Sequence, residues 1–337
     1  MKKIDSFSEY KNEYKKSLDN PELFWAEKAS TFQWISKWNK VLNWEFDSPT
    51  IEWFVGGKLN ITENCLDRHL KYNGDKVAIL WEPNNPDDSS VQITYSDLHK
   101  KVCEFSNVLL NHGAKKGDRI CLYMPMIPEL TIATLACARI GAIHSVVFAG
   151  FSAKSLADRI NDSKCNILIT SDGSFRGNKQ ICLKEIADQA LGFCQTINSC
   201  IVFKRTGEEV SMKSNRDFWW HDEVSKVSDF LAATEMDSED PLFILYTSGS
   251  TGKPKGVQHN CGGYMVYSEY SFRNVFQYNE NDIYWCTADI GWITGHTYIV
   301  YGPLLSGSTS VMFEGVPTFP DPGRFWKICE KYRVNIF

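Results

Sequence analysis

The most chemically pointed stretch of the chain is Tyr246-Thr-Ser-Gly-Ser-Thr-Gly-Lys-Pro-Lys-Gly256, entered from the apolar run Pro241-Leu-Phe-Ile-Leu245. Glycines let successive main-chain N–H groups turn inward around a cluster of oxygens. The hydroxyls of Thr247, Ser248, Ser250 and Thr251 add donors, Gly249 and Gly252 add freedom, and Lys253 and Lys255 add positive charge. Such a turn is a nest for a polyphosphate. It is not a Walker loop, which would need Gly at position 247 and Ser or Thr after the lysine, where the chain has Thr247 and Pro254. A flexible Ser/Gly linker is the plain alternative; the strand leading in, the two lysines and the proline argue against it.

Two other segments carry groups that could meet a ligand. In Arg176-Gly-Asn-Lys179 a guanidinium and an ammonium stand three residues apart, a pairing that suits exposed phosphates; the residues alone equally describe a solvated loop before a helix. Trp292 stands in a glycine-flanked turn, between Gly291 and Gly295, where a core tryptophan is the plain alternative to a ligand-facing one. His296, just beyond, is a satisfied polar neighbour rather than a base.

These segments need a scaffold, and the pattern from Lys76 onward supplies one. Val77–Trp81 is a strand, and Thr94-x-x-Asp97 opens a helix with a capping box, continued by Leu98, Val102, Phe105 and Leu109 and stopped at Gly113. Arg119–Tyr123 is the next strand, Pro128–Ile140 a helix closed by Gly141, and Ile143–Phe148 a nearly all-apolar strand. A helix around Ser155–Ile160, a strand ending at Thr170 and an amphipathic helix from near Ile181 follow. The alternation predicts an α/β fold with helices on both faces of a sheet, and ligands outside the carboxyl ends of the strands. The polar stretch from Arg205 to Asp240 reads as a surface connection whose acidic end is solvated. Thr309–Phe313 is a strand, Pro322–Tyr332 a helix, and Val334–Phe337 the start of another buried strand, so the chain is expected to be the front part of a longer protein.

The first 65 residues differ. Trp25, Trp34, Trp38, Trp44 and Trp53 are spread through helical and turn signals without the alternation of a sheet, as in a segment that wraps a neighbouring body with aromatic area.

Composition narrows the function classes. The chain has 337 residues, 43% apolar and 23% charged, enough for a large core. With 36 Lys and Arg against 41 Asp and Glu, the net charge of -5 disfavours a nucleic-acid partner. Eleven cysteines without a C-x-x-C pair indicate neither a disulfide scaffold nor a zinc ribbon and are read as reduced thiols of a cytoplasmic protein. The polar start and the interruption of Leu130–Phe148 by Arg139 and His144 argue against a signal peptide and a membrane span.

The run 246–256, together with Trp285-Cys-Thr-Ala-Asp-Ile-Gly-Trp-Ile-Thr-Gly-His296 and Phe313-Glu-Gly-Val-Pro317, resembles the adenylate-forming acyl-CoA synthetases. The last two runs, and the Trp-rich start, are similar to the acetyl-CoA synthetase branch. The resemblance spans the chain and implies an α/β fold: the large N-terminal body of an adenylating enzyme, with mixed sheets flanked by helices, ending before the small C-terminal domain. It divides the chain into an N-terminal segment, 1–65, and an incomplete AMP-binding domain, 66–337. It implies ligation of acetate to coenzyme A, with ATP and Mg2+, through an acetyl-adenylate. By the same resemblance Thr247, Ser248, Gly249, Ser250, Thr251, Gly252 and Lys253 hold the ATP phosphates. Trp292, Ile293 and Thr294 wall the acyl pocket; Arg176, Gly177, Asn178, Lys179, Thr294 and Thr318 meet coenzyme A. Many relatives have Gly where this chain has Asn178, and some have Asn where it has Thr318. The resemblance places the ribose-binding residues and the catalytic lysine beyond Phe337, so no catalytic residue or metal ligand is expected within the chain, which alone is expected to be inactive. The rival readings are a propionyl-CoA synthetase, which shares the loop, and a catalytically dead phosphate-binding fragment.

Overall fold

The protein is described by a computed structural model covering residues 3–247 and 252–337. Among these residues two main sheets organise the chain. The larger has seven strands in the order Asp217–Trp219, Ser199–Phe203, Ile167–Ser171, Arg119–Tyr123, Ile143–Val146, Pro241–Thr247 and Lys255–Asn260. Its neighbours are parallel except the last pair, an antiparallel hairpin. The strands alternate between two cores: Ile120 and Leu122 join one apolar cluster, Cys121 and Tyr123 the other, as a period of two requires. Helices Tyr95–Asn111 and Pro128–Arg139 fill the first face, and Ala153–Ser163 and Leu183–Leu191 the second. With both faces covered, the inner strands are apolar on both sides, the reason they read as continuous hydrophobic runs.

The helix starts follow their local chemistry. Thr94 Oγ1 accepts from the Asp97 N–H at 3.1 Å while Asp97 receives the Thr94 N–H at 3.4 Å, closing the capping box; such a cap is worth about 1 kcal/mol. Pro128 opens its helix at the position where a missing N–H costs nothing.

The smaller sheet has the order Ile283–Trp285, Thr309–Phe313, Val77–Glu82, Val91–Thr94, parallel except for the last pair. It stands against the larger one through Trp81, whose indole N–H donates to the Met126 carbonyl at 3.0 Å. The Arg324–Tyr332 helix is clamped to it by Glu82, which accepts from Arg324 Nη2 at 2.8 Å, Lys331 Nζ at 2.7 Å and Tyr332 OH at 2.5 Å. Burial alone would raise the Glu82 carboxyl, but these three donors hold it below its ordinary value.

Several expectations are corrected. The first 65 residues do contain a hairpin, Lys40–Glu45 with Thr50–Val55. It lies on the surface with neither face sealed, so its sequence lacks clean alternation. Four of the five tryptophans there pack on the core, but Trp44 is exposed. The 205–240 stretch is not merely a surface connection: it supplies the edge strand Asp217–Trp219 and the buried Trp220, whose ring stacks on Phe105 at 3.5 Å. Its acidic end is paired rather than solvated, Asp237 with Lys58 at 2.8 Å and Asp240 with Lys116 at 2.7 Å. The strand from Ile143 stops at Val146, freeing Val147 and Phe148 for a loop. Beyond Val334 a single parallel bridge, Tyr284 with Ile336, stands where a strand was expected, and Phe337 is exposed.

Candidate active-site cleft

From Arg119–Tyr123 the chain crosses to Ile143–Val146 on one side, then returns past it to Ile167–Ser171 on the other. Connections that diverge in this way leave a crevice at the carboxyl ends of the two strands. Pro125 and Met126 leave the first strand into that crevice, and Phe148, Ala149 and Gly150 leave the second. The smaller sheet aims two of its own strand ends at the same place, delivering Cys286–Asp289 and Glu314–Pro317. The result is a cleft of about 210 Å³ at the convergence of four carboxyl ends.

Arg176 lines this cleft from a small hairpin, Ser174–Arg176 paired with Lys179–Ile181. Gly177 and Asn178 form its two-residue turn, and the positive φ, 60°, falls on the glycine. Asn178 therefore needs no strained backbone, and the departure from Gly at that position leaves the turn tight. Arg176 and Lys179 are directly opposite in register and both exposed. Like charges opposite one another across a ladder repel, and among the described residues neither has a carboxylate within ion-pair distance. The pair is not the solvated loop that the residues alone would also describe, but two cations fixed side by side on a strand pair.

The Val316–Phe319 segment lies on the hairpin tip: a Cβ at Gly177 would stand 3.4 Å from Val316 Cγ2 and 3.7 Å from Phe319 Cβ. Thr318 is thereby brought to the same end of the cleft as Arg176 and Lys179, and is exposed. Trp292 is not a core tryptophan: half of it is exposed, as is much of Ile293. Its indole meets Phe148 and Phe151, with ring centroids 6.3 and 6.4 Å away, while the Arg176 guanidinium lies 5.7 Å from the Phe148 ring. Phe148 therefore joins the two groups. Trp292, Ile293 and Thr294 stand beside the cleft rather than among its lining residues. Their turn is fixed by Gly295, where a Cβ would fall 2.0 Å from the Asp289 carbonyl oxygen, a place only glycine fits. His296 is fully buried, its Nδ1 3.4 Å from the Trp292 carbonyl oxygen, and burial lowers its pKa to about 4.

The glycine-rich turn closes the hairpin at the edge of the larger sheet, with Thr247 facing Lys255 in register. It therefore joins paired strands and is not an interdomain linker. Ser248, Gly249, Ser250 and Thr251 lie outside the described residues; Thr247 and Lys253 are exposed and Gly252 has φ 80°.

Sequence reasoning missed the groups that hold the cleft from below. Asp172, buried, accepts from the N–H groups of Gly173, Arg205, Thr206 and Gly207 at 2.7 to 3.0 Å. Arg205, so placed, chelates Glu314, and Asn84 bonds Gly177. Burial pushes the Glu314 carboxyl up, with Arg205 opposing only in part; burial likewise raises Asp289, although it accepts the Gly291 N–H at 2.7 Å. Glu314 and Asp289 had a signal, inside the Phe313–Pro317 and Trp285–His296 runs; Asp172, Arg205 and Asn84 had none.

The family model described as "AMP-binding enzyme" matches residues 66–337. The chain belongs to that family. The segment before this AMP-binding region, 10–65, matches the model described as "Acetyl-coenzyme A synthetase N-terminus". Among curated relatives, an acetyl-coenzyme A synthetase of Bdellovibrio bacteriovorus is 55% identical over 98% of this chain and 51% of its own length. One of Desulfatibacillum aliphaticivorans is 54% identical over 97% of this chain and 51% of its own, and one of Leptospira biflexa 54% over 98% and 52%. The chain thus spans about half the length of the curated relatives it matches. For an AMP-binding enzyme the cleft lies where an α/β architecture puts ligands. Among the described residues no helix is long and apolar enough to cross a membrane, and no three His, Cys, Asp or Glu side chains converge on a metal position.

Proposed function

We propose that the chain is the front half of an acetate–CoA ligase that forms acetyl-CoA from acetate, ATP and coenzyme A, releasing AMP and pyrophosphate. The observation that carries this reading is the 55% identity to an acetyl-coenzyme A synthetase over 98% of the chain. In the first step an acetate oxygen attacks the α-phosphorus and the bond to the bridging oxygen breaks, so negative charge grows on pyrophosphate. Thr247 to Lys253 answer that charge with hydroxyls, main-chain N–H groups and an ammonium. When bound, magnesium would supply further charge neutralisation at the phosphates; no side chain of this chain is assigned to it. In the second step the thiolate sulfur attacks the acyl carbon and AMP departs.

Trp292, Ile293 and Thr294 wall the acyl end, an indole shortening the space so that a longer acid fits poorly. Arg176 and Lys179 take the phosphates of the nucleotide end of coenzyme A, with Gly177, Asn178, Thr294 and Thr318 about them. Their placement directly opposite one another on a strand pair supports this. In this reading 1–65 wraps the body and 66–337 forms the adenylating domain. The eleven cysteines are free thiols, in keeping with a reducing cytoplasm.

The test is acetate-dependent exchange of labelled pyrophosphate into ATP, run on the intact protein and on residues 1–337 alone. The intact protein is expected to exchange and the chain alone to remain near background; failure of the intact protein to exchange with acetate would remove the reading.

A further inference from the structure

Asn84 is buried, in the turn that follows the Val77–Glu82 strand. Its side chain reads both main-chain groups of one residue across the cleft floor. Oδ1 accepts the Gly177 N–H at 2.8 Å, and Nδ2 donates to the Gly177 carbonyl at 3.0 Å. Gly177 is the first residue of the turn between Arg176 and Lys179, so the Asn84 side chain grips the residue from which the two cations diverge.

Asn84 is itself fixed from below. Its own N–H points to Glu314 Oε2 at 3.4 Å, and Glu314 is chelated by Arg205 at 2.8 and 2.6 Å. Gly315 brings its backbone against the Asn84 Cα, where an added Cβ would stand at 3.2 Å. Arg205 also lies 4.8 Å from the Phe175 ring, beneath the same hairpin. Three chain segments far apart in sequence, 82–84, 174–181 and 313–317, are thus held by one buried polar cluster. Nothing else in the described residues demands a carboxamide at position 84: a structural plug would be served by an apolar side chain, whereas a matched donor and acceptor serve to hold a tip at a set height.

We propose that Asn84 is a positioning residue for the Arg176 and Lys179 pair, setting the two cations at the spacing that the phosphates of coenzyme A require. This rests on the assignment of that pair to coenzyme A made above. Two exposed, mutually repelling cations lose most of their grip on a bidentate anion if the turn between them frays, because ordering them must then be supplied by the ligand.

The experiment titrates adenosine 3′,5′-bisphosphate and coenzyme A into the intact protein by calorimetry, comparing the parent with Asn84→Ala, Asn84→Asp and the double variant Arg176→Ala/Lys179→Ala. Amide hydrogen exchange of 175–180 and ATP affinity are followed in parallel. The double variant and Asn84→Ala are both expected to lose about tenfold in affinity, the worth of one to two hydrogen bonds. Asn84→Ala should do so with Gly177 exchange accelerated and ATP affinity unchanged. Asn84→Asp, which keeps the acceptor for the Gly177 N–H, should restore part of the exchange protection. If the double variant weakens binding but Asn84→Ala does not, or if Asn84→Ala lowers ATP and coenzyme A affinity alike together with the melting temperature, the positioning role is wrong. If the parent binds neither probe, or the double variant binds as well as the parent, the assignment of the cation pair fails and the proposal falls with it.

Discussion

Arg205 meets Glu314 edge to edge, Nε to Oε1 at 2.8 Å and Nη2 to Oε2 at 2.6 Å, with the carboxylate side chain sealed from solvent and the guanidinium over the Trp81 ring at 5.3 Å. This pair ties the loop after Ser199–Phe203 to the loop after Thr309–Phe313, one from each sheet.

Removing one member strands the other. Arg205→Ala leaves a buried carboxylate without its cation and should cost about 3–5 kcal/mol, whereas Arg205→Met with Glu314→Leu removes both charges and should cost less. The Glu314 carboxyl is already pushed up by burial, and loss of Arg205 pushes it further. A carboxyl with a raised folded value contributes stability at low pH that is lost as the pH rises through that value. The Arg205→Ala deficit should therefore be smaller at pH 5 than at pH 8. Thermal melts of the parent and these two variants at both pH values check this; a deficit independent of pH, or a double variant as weak as the single, would contradict it.

A second charged cluster sets a pH dependence away from the cleft. Asp67 receives the buried Arg139 guanidinium at 2.9 and 3.0 Å and His99 Nε2 at 3.2 Å. The hydrogen bond to Asp67, with a further one to Cys103, raises the His99 pKa to about 9 against the cost of burial. Being raised, it gives stability that is complete below about pH 6.5 and disappears as the pH climbs through 9. Between those limits the protein should lose on the order of 2 kcal/mol. His99→Gln should flatten that arm of the melting profile; an unchanged arm would place its origin elsewhere.

Much of the scaffold was legible because it follows short-range rules. The capping box at Thr94 and Asp97, Pro128 at a helix start and the apolar run Arg119–Tyr123 are local statements, and the structure keeps them. The wall of the site was not legible in the same way. Asn84 sits among Asn, Pro and Asp residues in a turn with no periodicity, and nothing in its neighbourhood announces a partner at Gly177, 93 residues away. Arg205 stands at the head of a polar stretch whose composition reads as solvent-facing, and only the fold reveals the carboxylate 109 residues on. Trp292 was singled out through the resemblance, as part of the acyl wall; the plain alternative, a buried tryptophan, is the reading that falls, because glycines on either side let its turn project and leave half the indole in solvent.

Trp292 should control acid length. If the indole walls the acyl end, Trp292→Ala in the intact protein should weaken the preference for acetate and admit longer acids, each added methylene gaining about 0.8 kcal/mol of burial. The measurement is kcat/KM for acetate, propionate and butyrate. An unchanged ratio among the three acids, with activity intact, would remove Trp292 from the pocket.

The last prediction separates the two half-reactions. Thr247 ends a strand opposite Lys255, and the turn between them delivers Gly252 at φ 80° and an exposed Lys253 that has no ion-pair partner among the described residues. Among the described residues a Cβ at Gly252 would meet nothing within 4 Å, so the cost expected of Gly252→Ala is about 1–2 kcal/mol of left-handed backbone strain. Lys253→Ala removes the ammonium and its donors from an exposed side chain. If the turn serves departing pyrophosphate, both variants should slow adenylation, Lys253→Ala by about 10²–10³-fold, the usual worth of one donor aimed at developing charge. Neither should greatly slow the consumption of supplied acetyl-adenylate by coenzyme A, because no pyrophosphate leaves in that step. Pyrophosphate exchange reads the first half-reaction and thioester formation from acetyl-adenylate the second. Equal losses in both would assign the turn a structural role, and no loss in either would take the triphosphate away from it.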